Sequence, residues 1–554
     1  MYGISRIYYF TYCLEMIMKK EHHREEVSHQ LERKMLKDMI NQIFKYQSNK
    51  MRSNPAKWLT PFLVILLSIF AVNVRAIDLE SRVIRKKLKN GMTVLMMERH
   101  QAPICSLYIR YKVGMVDEPN GRTGTAHLLE HLMFKGTKSI GTKDYIKESM
   151  MLDRIKEVGQ ALDQERLKGE EGDPNNIQAL SEKLAVLQTE HKAFVVKDEM
   201  DLLYSQNGAA GFNAFTSADM TTYTVSLPSN RLELWARIES DRMMNPVFRE
   251  FYSERNVVLE ERRQNYESKP FRKLLERFLA TAFIAHPYRN PVIGWESDLV
   301  FLDPDSTYAF FRHHYAPNNV VVAAVGDLEP ESFMAMMEKY FGRIPAQPPV
   351  PPIITKEPIQ KGERRIEVEF DAEPQIIIGY LKPTIPDRAD YIFDIISSIL
   401  TDGRTSRLYK RMIVEEKIAV SVNSANGMPG ARYANLFTIF ATPLYPKTTA
   451  DIEHAIYQEL DRLMTEPVSE WELQKIKNQI LTDLIRGLTS NSGMANKLSY
   501  FESAAGDWRY LSNYLDVIKT ITTQEIQETA REYLQASRRT VATLVRNAVG
   551  EKKI

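Results

Sequence analysis

The sequence predicts an α+β fold in which each of two similar halves combines a sheet with helices. Strand-like apolar runs stand at 104–113 and 320–325, and apolar residues repeat every three or four positions at 231–244 and 328–341. A proline-rich linker at 344–358 separates the halves. Strands and helices mixed in this way favour a sheet covered by helices in each half.

The two halves repeat one another in order along the chain. The two members of a matching pair are about 50 residues closer in sequence when the pair lies late in the halves than when it lies early. The first half therefore carries an insert that the second half lacks. The matching landmarks, first half and then second half, are Pro103 and Pro374, Gly136 and Gly403, and Tyr315 and Tyr533.

Residues 127–131 read His-Leu-Leu-Glu-His and predict a metal site with a general base. Positions i, i+3 and i+4 share one face of a helix, so His127 and His131 can offer two imidazoles to one ion. Glu130 stands beside them, within reach of a proton on a metal-bound water. A structural core histidine is the ordinary alternative, but two on one face with a carboxylate between them are uncommon.

A catalytic zinc site needs a third protein ligand on another element. The segment 253–263 offers Glu254 and Glu261 on one helical face, with Glu260 rotated away by about 100°. This face suggests one ligand and one carboxylate that supports a ligand. For the glutamates alone, a solvated helix face is the simpler interpretation.

The insert is predicted at about 150–207, as an antiparallel helical hairpin. Its two apolar stretches flank 172–176, a Gly-Asp-Pro-Asn-Asn run typical of a turn. Because the hairpin has its own apolar seam and no metal ligand, it can project from the domain. We expect that replacing it with a short Gly/Ser linker leaves metal binding intact but alters substrate choice or partner binding. The seam positions are Leu152, Ile155, Val158, Leu162, Ile177, Leu180, Leu184 and Leu187.

These features resemble the pitrilysin/insulinase-type zinc metallopeptidases, in particular the mitochondrial-processing-peptidase-like members. His-x-x-Glu-His is the inverted zinc signature of the inverzincins. The resemblance covers about 80–550 and implies zinc ligands at His127, His131 and Glu261, the general base at Glu130 and a supporting acidic residue at Glu254. The further motifs that carry it lie at 211–217, 254–261, 286–288, 292–294 and 315–318.

The resemblance implies a zinc metalloendopeptidase with one Zn²⁺ per chain. Two homologous domains, at 77–343 and 359–554, would form a clam-like chamber, and Glu130 would take the proton of the attacking water. Asn213 and Ala214 match an edge strand that pairs with the backbone of an extended peptide substrate. The competing hypothesis is a non-catalytic or weakly active subunit that only holds peptides.

The second half departs from the family pattern at the residues that assist catalysis. Overlaid at the glycine landmarks, Asp394, Ser397 and Ser398 fall opposite His127, Glu130 and His131, so the second half lacks the metal motif. Many relatives carry an Arg and a Tyr in this half that hold substrate and oxyanion. Ile413 and Val420 occupy those positions here. Either the donors come from elsewhere, or, as we expect, a related two-domain subunit supplies the pair.

Residues 51–76 predict a secretory signal peptide, with a basic start, a short apolar core and Val74-x-Ala76 before the cleavage point. Residues 1–50 are then a non-native upstream extension or a cytoplasmic tail. We expect a periplasmic or secreted protein with no stable membrane span after cleavage; the alternative is an uncleaved signal anchor.

Charge and cysteine usage argue against a nucleic-acid-binding protein and against a protein stabilised by disulfides. The net charge of +2, with both signs interspersed, argues against a nucleic-acid partner. The chain has two cysteines, Cys13 and Cys105, so a chain cleaved after Ala76 retains one thiol and no internal disulfide.

Overall fold

The structure is a computed structural model that describes residues 79–546. The predicted extension at 1–50 and signal peptide at 51–76 lie outside the described residues. Two sheets with helices packed on them confirm the α+β prediction. Within 79–546, no helix combines the length and the apolar character that a membrane crossing requires.

Six strands form the first sheet: β1 (Val83–Lys87), β2 (Thr93–Glu98), β3 (Ile104–Tyr111), β4 (Ala210–Thr216), β5 (Thr221–Pro228) and β6 (Val320–Gly326). Their order across the sheet is β1-β2-β6-β3-β5-β4. Strands β2 and β6 run parallel, and every other neighbouring pair is antiparallel. Strand β4 therefore forms one edge of the sheet.

Five strands form the second sheet: β7 (Arg364–Glu369), β8 (Gln375–Lys382), β9 (Ala419–Met428), β10 (Asn435–Pro443) and β11 (Arg539–Val545). Their order is β7-β11-β8-β10-β9, with only β7 and β11 parallel. This is the order of the first sheet without β1, so the internal repeat predicted from the sequence is present in the topology.

The helices of the first half are α1 (Thr125–Leu132), α2 (Tyr145–Leu167), α3 (Pro174–His191), α4 (Glu199–Ser205), α5 (Leu232–Met244), α6 (Phe251–Arg262), α7 (Pro270–Ala282), α8 (Glu296–Leu299), α9 (Pro304–His314) and α10 (Pro330–Tyr340). The linker at 344–358 carries neither helix nor strand. Those of the second half are α11 (Arg388–Thr401), α12 (Arg407–Tyr409), α13 (Thr449–Thr465), α14 (Glu470–Gly487), α15 (Asn491–Ala504), α16 (Tyr510–Thr520) and α17 (Thr523–Tyr533).

Each half contributes a helix to the core of the other half. Helix α15 lies on β3 and β6 of the first sheet, where Met494 and Leu498 pack against Val321. Helix α7 lies on the second sheet, where Phe278 packs against Ile377. The largest cluster of each half contains residues of that half alone, whereas the two smaller clusters around α15 and α7 combine residues from both sides of the linker.

The predicted helical hairpin is present, and its apolar seam lies against the rest of the domain. Its helices α2 and α3 pack antiparallel on either side of the predicted turn. The apolar seam is buried against the back of α1, at Leu128 and Leu132, and against α6, at Tyr252 and Val258. The buried seam positions of the hairpin are Ile155, Val158, Leu162, Leu184 and Leu187.

Candidate metal and catalytic site

Helix α1 presents the His-x-x-Glu-His motif, and a buried carboxylate fixes where this helix begins. Glu118 accepts hydrogen bonds from the backbone N–H groups of Gly124 (2.8 Å) and Ala126 (2.7 Å), which otherwise lack intrahelical partners. Gly124 has φ of 87°, and a Cβ on the facing Gly294 would lie 2.6 Å from the Gly124 Cα. Two glycines are therefore needed for this close approach.

The apolar residues of α1 leave one face for chemistry. Ala126 and Leu129 pack into the core on the first sheet, whereas Leu128 and Leu132 pack against the hairpin and α6. The remaining face carries the two histidines and Glu130, as the sequence predicts.

Helix α6 brings Glu261 to this face. Its Oε2 lies 3.7 Å from His127 Nε2 and 3.5 Å from His131 Nε2. One donor atom from each of the three side chains falls within 4.8 Å of the others. Two imidazole nitrogens and a carboxylate oxygen at this spacing fit the donor set of a catalytic zinc site. The Glu261 side chain is 35% exposed, so the site has an open side for water and substrate.

Glu254 occupies a different position relative to the same histidine. Its Oε2 lies 3.4 Å from His131 Nδ1, the ring nitrogen that faces away from Glu261. Lys135 Nζ contacts Glu254 at 2.6 Å and Glu250 at 3.0 Å. Glu254 is thus placed to orient the His131 ring, as carboxylates behind a metal-binding histidine do. Sequence analysis missed Lys135, whose only signal was its position four residues after His131.

Without metal, the pKa values of the two histidines are shifted in opposite directions. Burial, together with the charge of His131, lowers the pKa of His127 to about 4. Burial opposes the charged form of His131 as well, but its hydrogen bonds to Glu254 and Glu261 outweigh this effect and raise its pKa to about 9. A metal ion that binds these nitrogens must therefore displace a proton from His131.

Glu130 is held by the last residue of the edge strand. The hydroxyl of Thr216 donates a hydrogen bond of 2.6 Å to Glu130 Oε2. Burial raises the pKa of the Glu130 carboxyl above its ordinary value, although the Thr216 hydrogen bond opposes the shift. A carboxyl with a raised pKa is better matched to accepting and returning a proton near neutral pH. The sequence placed Thr216 in a family motif but gave no role to its hydroxyl.

The predicted substrate-binding residues lie on β4. Asn213 is exposed, and Ala214 is buried towards the core. Because β4 pairs only with β5 among residues 79–546, the backbone groups along its other side have no strand partner in this part of the chain. The structure thus places Asn213 and Ala214 on an edge strand; their contact with substrate stays a prediction.

The second half uses the helix equivalent to α1 for packing. On α11, Asp394 accepts hydrogen bonds from Asn426 (2.9 Å) and the Tyr514 hydroxyl (2.7 Å), and Ser397 contacts Ser424 at 2.8 Å. Burial, and next the charge of Asp390, raise the pKa of Asp394 to about 6. Throughout 79–546, His127, His131 and Glu261 are the only cluster of three metal-binding side chains with this spacing.

The two positions at which the resemblance leads us to expect an Arg and a Tyr have different environments. Ile413 is half-buried and packs on the second core, whereas Val420 is 59% exposed on the edge strand β9. Neither side chain can donate a hydrogen bond.

Two family models match the chain. The model described as Insulinase (Peptidase family M16) matches 93–153 and 173–295, and Peptidase M16 inactive domain matches 302–480. Together they span more than half of the chain, which therefore belongs to the M16, or insulinase, family of zinc metallopeptidases. The first model leaves 154–172 unmatched, a stretch inside the hairpin insert.

Known proteins agree with this assignment. Zinc protease PqqE of Helicobacter pylori is 25% identical over 464 residues, which cover 82% of this chain and 91% of that protein. The crystal structure of a protease from Helicobacter pylori has a TM-score of 0.70 at 24% identity and covers 84% of this chain and 99% of that chain. The periplasmic protease PqqL from Escherichia coli has a TM-score of 0.63 at 18% identity, covering 85% of this chain but 48% of that one. The chain thus has the two-domain M16 fold, and its relatives support a peptidase-like function.

Proposed function

We propose that this protein is a zinc-dependent endopeptidase that cleaves unstructured peptides or small proteins. The observation that carries the proposal is the convergence of His127, His131 and Glu261, with donor atoms within 4.8 Å of one another, beside Glu130. These three side chains would hold one zinc ion per chain. Bound zinc polarises the scissile carbonyl and makes water more acidic.

The chain's own residues account for the proton transfers. Glu130 accepts the proton of the attacking water and returns it to the leaving amine. Its raised pKa, caused by burial, favours both directions of transfer. Thr216 fixes the orientation of the carboxylate through its 2.6 Å hydrogen bond. Glu254 holds the His131 ring from behind.

The substrate is proposed to extend along β4, past Asn213 and Ala214, with its backbone completing the sheet. Backbone pairing carries little sequence information, so cleavage preferences should be broad. Thr216, at the end of the same strand, links this binding edge to Glu130.

A second two-domain subunit is proposed to complete the active site. Ile413 and Val420 provide no donors for substrate or oxyanion, and a related subunit that carries the Arg and Tyr would provide them. The comparison with the periplasmic protease PqqL is compatible with paired units, since a stretch the length of this chain makes up about half of that protein.

The second candidate function is a peptide-binding subunit with little or no catalysis of its own. The absent Arg and Tyr favour it, and so does the match of 302–480 to a domain described as inactive. The zinc donor set and Glu130 favour the peptidase, because a scaffold has no need of a general base.

One experiment separates the two candidates. Purified protein is analysed for zinc and incubated with an unstructured peptide whose ends are blocked, so that only internal cleavage is scored. We expect about one equivalent of zinc. Glu130→Gln should retain the zinc and lose cleavage, whereas Glu261→Gln should lose both. Glu260→Gln is the matched control, since Glu260 lies on the same helix and is exposed. Full activity in Glu130→Gln would rule out the mechanism.

The proposed location is the periplasm or the exterior of the cell, with a membrane-anchored form as the alternative. The prediction of cleavage after Ala76 supports it, and the periplasmic PqqL protease shares the fold. N-terminal sequencing of protein from its native host should begin at or near Ile77. Recovery of intact residues 1–50 on a membrane-bound form would instead favour the anchor.

A further inference from the structure

The hairpin insert is attached to the ligand-bearing helix α6 by a buried ion pair. Asp163 on α2 accepts two hydrogen bonds from Arg255 on α6, at 2.6 Å from Nη1 and 3.0 Å from Nη2. The side chains are only 10% and 4% exposed. Two parallel bonds from one guanidinium fix direction as well as distance, so this contact holds α6 in one orientation relative to the hairpin.

A second contact, one turn along α2, reinforces the first. Gly159 faces the ring of Tyr252, and a Cβ at this position would lie 2.0 Å from Tyr252 Cζ. The same Tyr252 ring lies 4.9 Å from the Arg255 guanidinium. Arg255 Nη1 also donates to the Leu302 carbonyl at 2.9 Å. The guanidinium is therefore enclosed by the hairpin, by its own helix and by the segment just before α9.

The residues that hold α6 alternate with those that serve the metal site. Tyr252 and Arg255 flank Glu254 in the sequence and point to the hairpin, because successive side chains on a helix are rotated by about 100°. Glu254 and Glu261 point to His131 on the other side. Any tilt or rotation of α6 would move both carboxylates together.

We infer that Asp163 is a positioning residue for the metal site, acting through Arg255 and α6 on Glu261 and Glu254. Asp163 lies within 154–172, the stretch that the family model leaves unmatched. The insert therefore adds a brace to the ligand helix of this particular chain. This inference rests on the proposed zinc site and concerns how tightly that site is held.

The test measures zinc affinity apart from catalysis. Wild type, Asp163→Asn and Arg255→Lys are compared in competition with a chelator of known affinity, and absorption of the Co²⁺-loaded proteins reports the ligand environment. Arg255→Lys keeps the charge but loses the two-pronged contact. Thermal unfolding of each metal-free protein records stability separately.

Two control variants isolate the route through α6. Asp305→Asn removes the charge and one of the two acceptor oxygens that Lys156 and Gln160 contact, and these contacts also hold the hairpin to the rest of the domain, at α9. Asp390→Asn breaks a buried pair with Lys382 in the second half, far along the chain from α6. The first control tests hairpin docking in general, and the second tests loss of stability in general.

We expect Asp163→Asn and Arg255→Lys, the two brace variants, to bind zinc about tenfold more weakly and to shift the Co²⁺ absorption bands. Carboxylates that support a ligand typically affect affinity on this scale. Asp305→Asn and Asp390→Asn should stay within about twofold of wild type. Asp163→Glu should recover part of the affinity, because it restores a carboxylate. Wild-type affinity in both brace variants would overturn the inference, as would an equal loss in Asp390→Asn. A wild type that binds no zinc would refute the proposed function and this inference with it.

Discussion

At the scale of single residues, the proposed chemistry would depend on side chains that orient other side chains. Thr216 donates a hydrogen bond to Glu130. Glu254 contacts His131 and is itself contacted by Lys135. Each supporting contact is polar and at least half-buried, where a misplaced group is costly because water cannot replace its partner. Substitutions of these supports should therefore impair function while leaving the catalytic atoms present.

Thr216→Val should lower turnover about tenfold, a fraction of the effect of losing general-base catalysis altogether. Valine has nearly the shape of threonine but cannot donate to Glu130 Oε2, so the carboxylate loses its fixed orientation. Initial rates on a blocked peptide, with zinc content measured in parallel, provide the check. Thr216→Ser retains the hydroxyl and should stay close to wild type. Unchanged turnover in Thr216→Val would show that the hydrogen bond has no catalytic role.

Asp394 should make the folded protein less stable as the pH rises from about 4 to about 6. Its pKa is raised from 3.8 to about 6, mainly by burial, so the folded state binds this proton more tightly than the unfolded state does. The stabilisation is complete below the unfolded pKa and is lost through the folded pKa, with a total of at most about 3 kcal/mol.

Urea unfolding of metal-free wild type and Asp394→Asn at several pH values would measure this effect. The difference in unfolding free energy should change between pH 4 and pH 7 in favour of the variant. Asp516→Asn, at an exposed position, serves as the control and should follow wild type. A pH-independent difference for Asp394→Asn would contradict the prediction.

At the scale of elements, two exchanged helices hold the halves together. Helix α7 packs on the second sheet and α15 on the first, so each buries its apolar face on strands that belong to the other half. The approach of α7 is possible because Gly379 on β8 has no side chain, with the Phe278 ring in the space where a Cβ would stand.

Gly379→Ala should destabilise the protein by about 1–3 kcal/mol, since the new methyl group would lie 2.5 Å from Phe278 Cζ. Chemical denaturation measures the loss, and adding Phe278→Leu should recover part of it by making room. Gly487→Ala is the control, because no atom lies within 4 Å of a Cβ at that position. Equal stability of Gly379→Ala and wild type would mean that the α7 contact is loose.

At the scale of the whole molecule, one half bears the candidate catalytic chemistry and the other has kept only the scaffold. The second sheet repeats the strand order of the first without β1, yet α11 uses Asp394 for partly buried hydrogen bonds with Asn426 and Tyr514. Ile413 and Val420 add no donor to the site. The chain therefore carries the proposed metal-binding and proton-transfer groups but not the Arg and Tyr that the resemblance leads us to expect.

The isolated chain should be a weak peptidase that a related two-domain subunit activates at least about tenfold. Loss of one oxyanion donor typically costs 10²- to 10³-fold in turnover, and the partner's Arg and Tyr would restore part of this. The measurement is peptide cleavage by each subunit alone and by the mixture, with the partner's Arg or Tyr replaced as the control. A high turnover of this chain without any partner, roughly 10 per second, would refute the proposal that two subunits share the active site.

Several features were predictable because local sequence decides them. The spacing of His127, Glu130 and His131 puts them on one face of any helix, and the repeat of apolar runs on both sides of the linker indicated two similar α+β halves. The hairpin insert was also predictable, since apolar periodicity and a Gly-Asp-Pro-Asn turn are local signals. The choice of Glu261 over Glu254 as a ligand followed from the family resemblance, and the residue pattern alone left it open.

Contacts between distant segments were decided only by the tertiary structure. Which carboxylate faces Nε2 and which faces Nδ1 of His131 depends on the axial position and rotation of α6 against α1. The Thr216–Glu130 bond joins residues 86 positions apart, and the Asp163–Arg255 pair joins residues 92 apart. The exchange of α7 and α15 could not be read from the sequence, because an amphipathic helix specifies that its apolar face must be buried but not which sheet will bury it. For the same reason the hairpin seam, which the sequence treated as internal to the insert, is buried against the two helices that carry the candidate site.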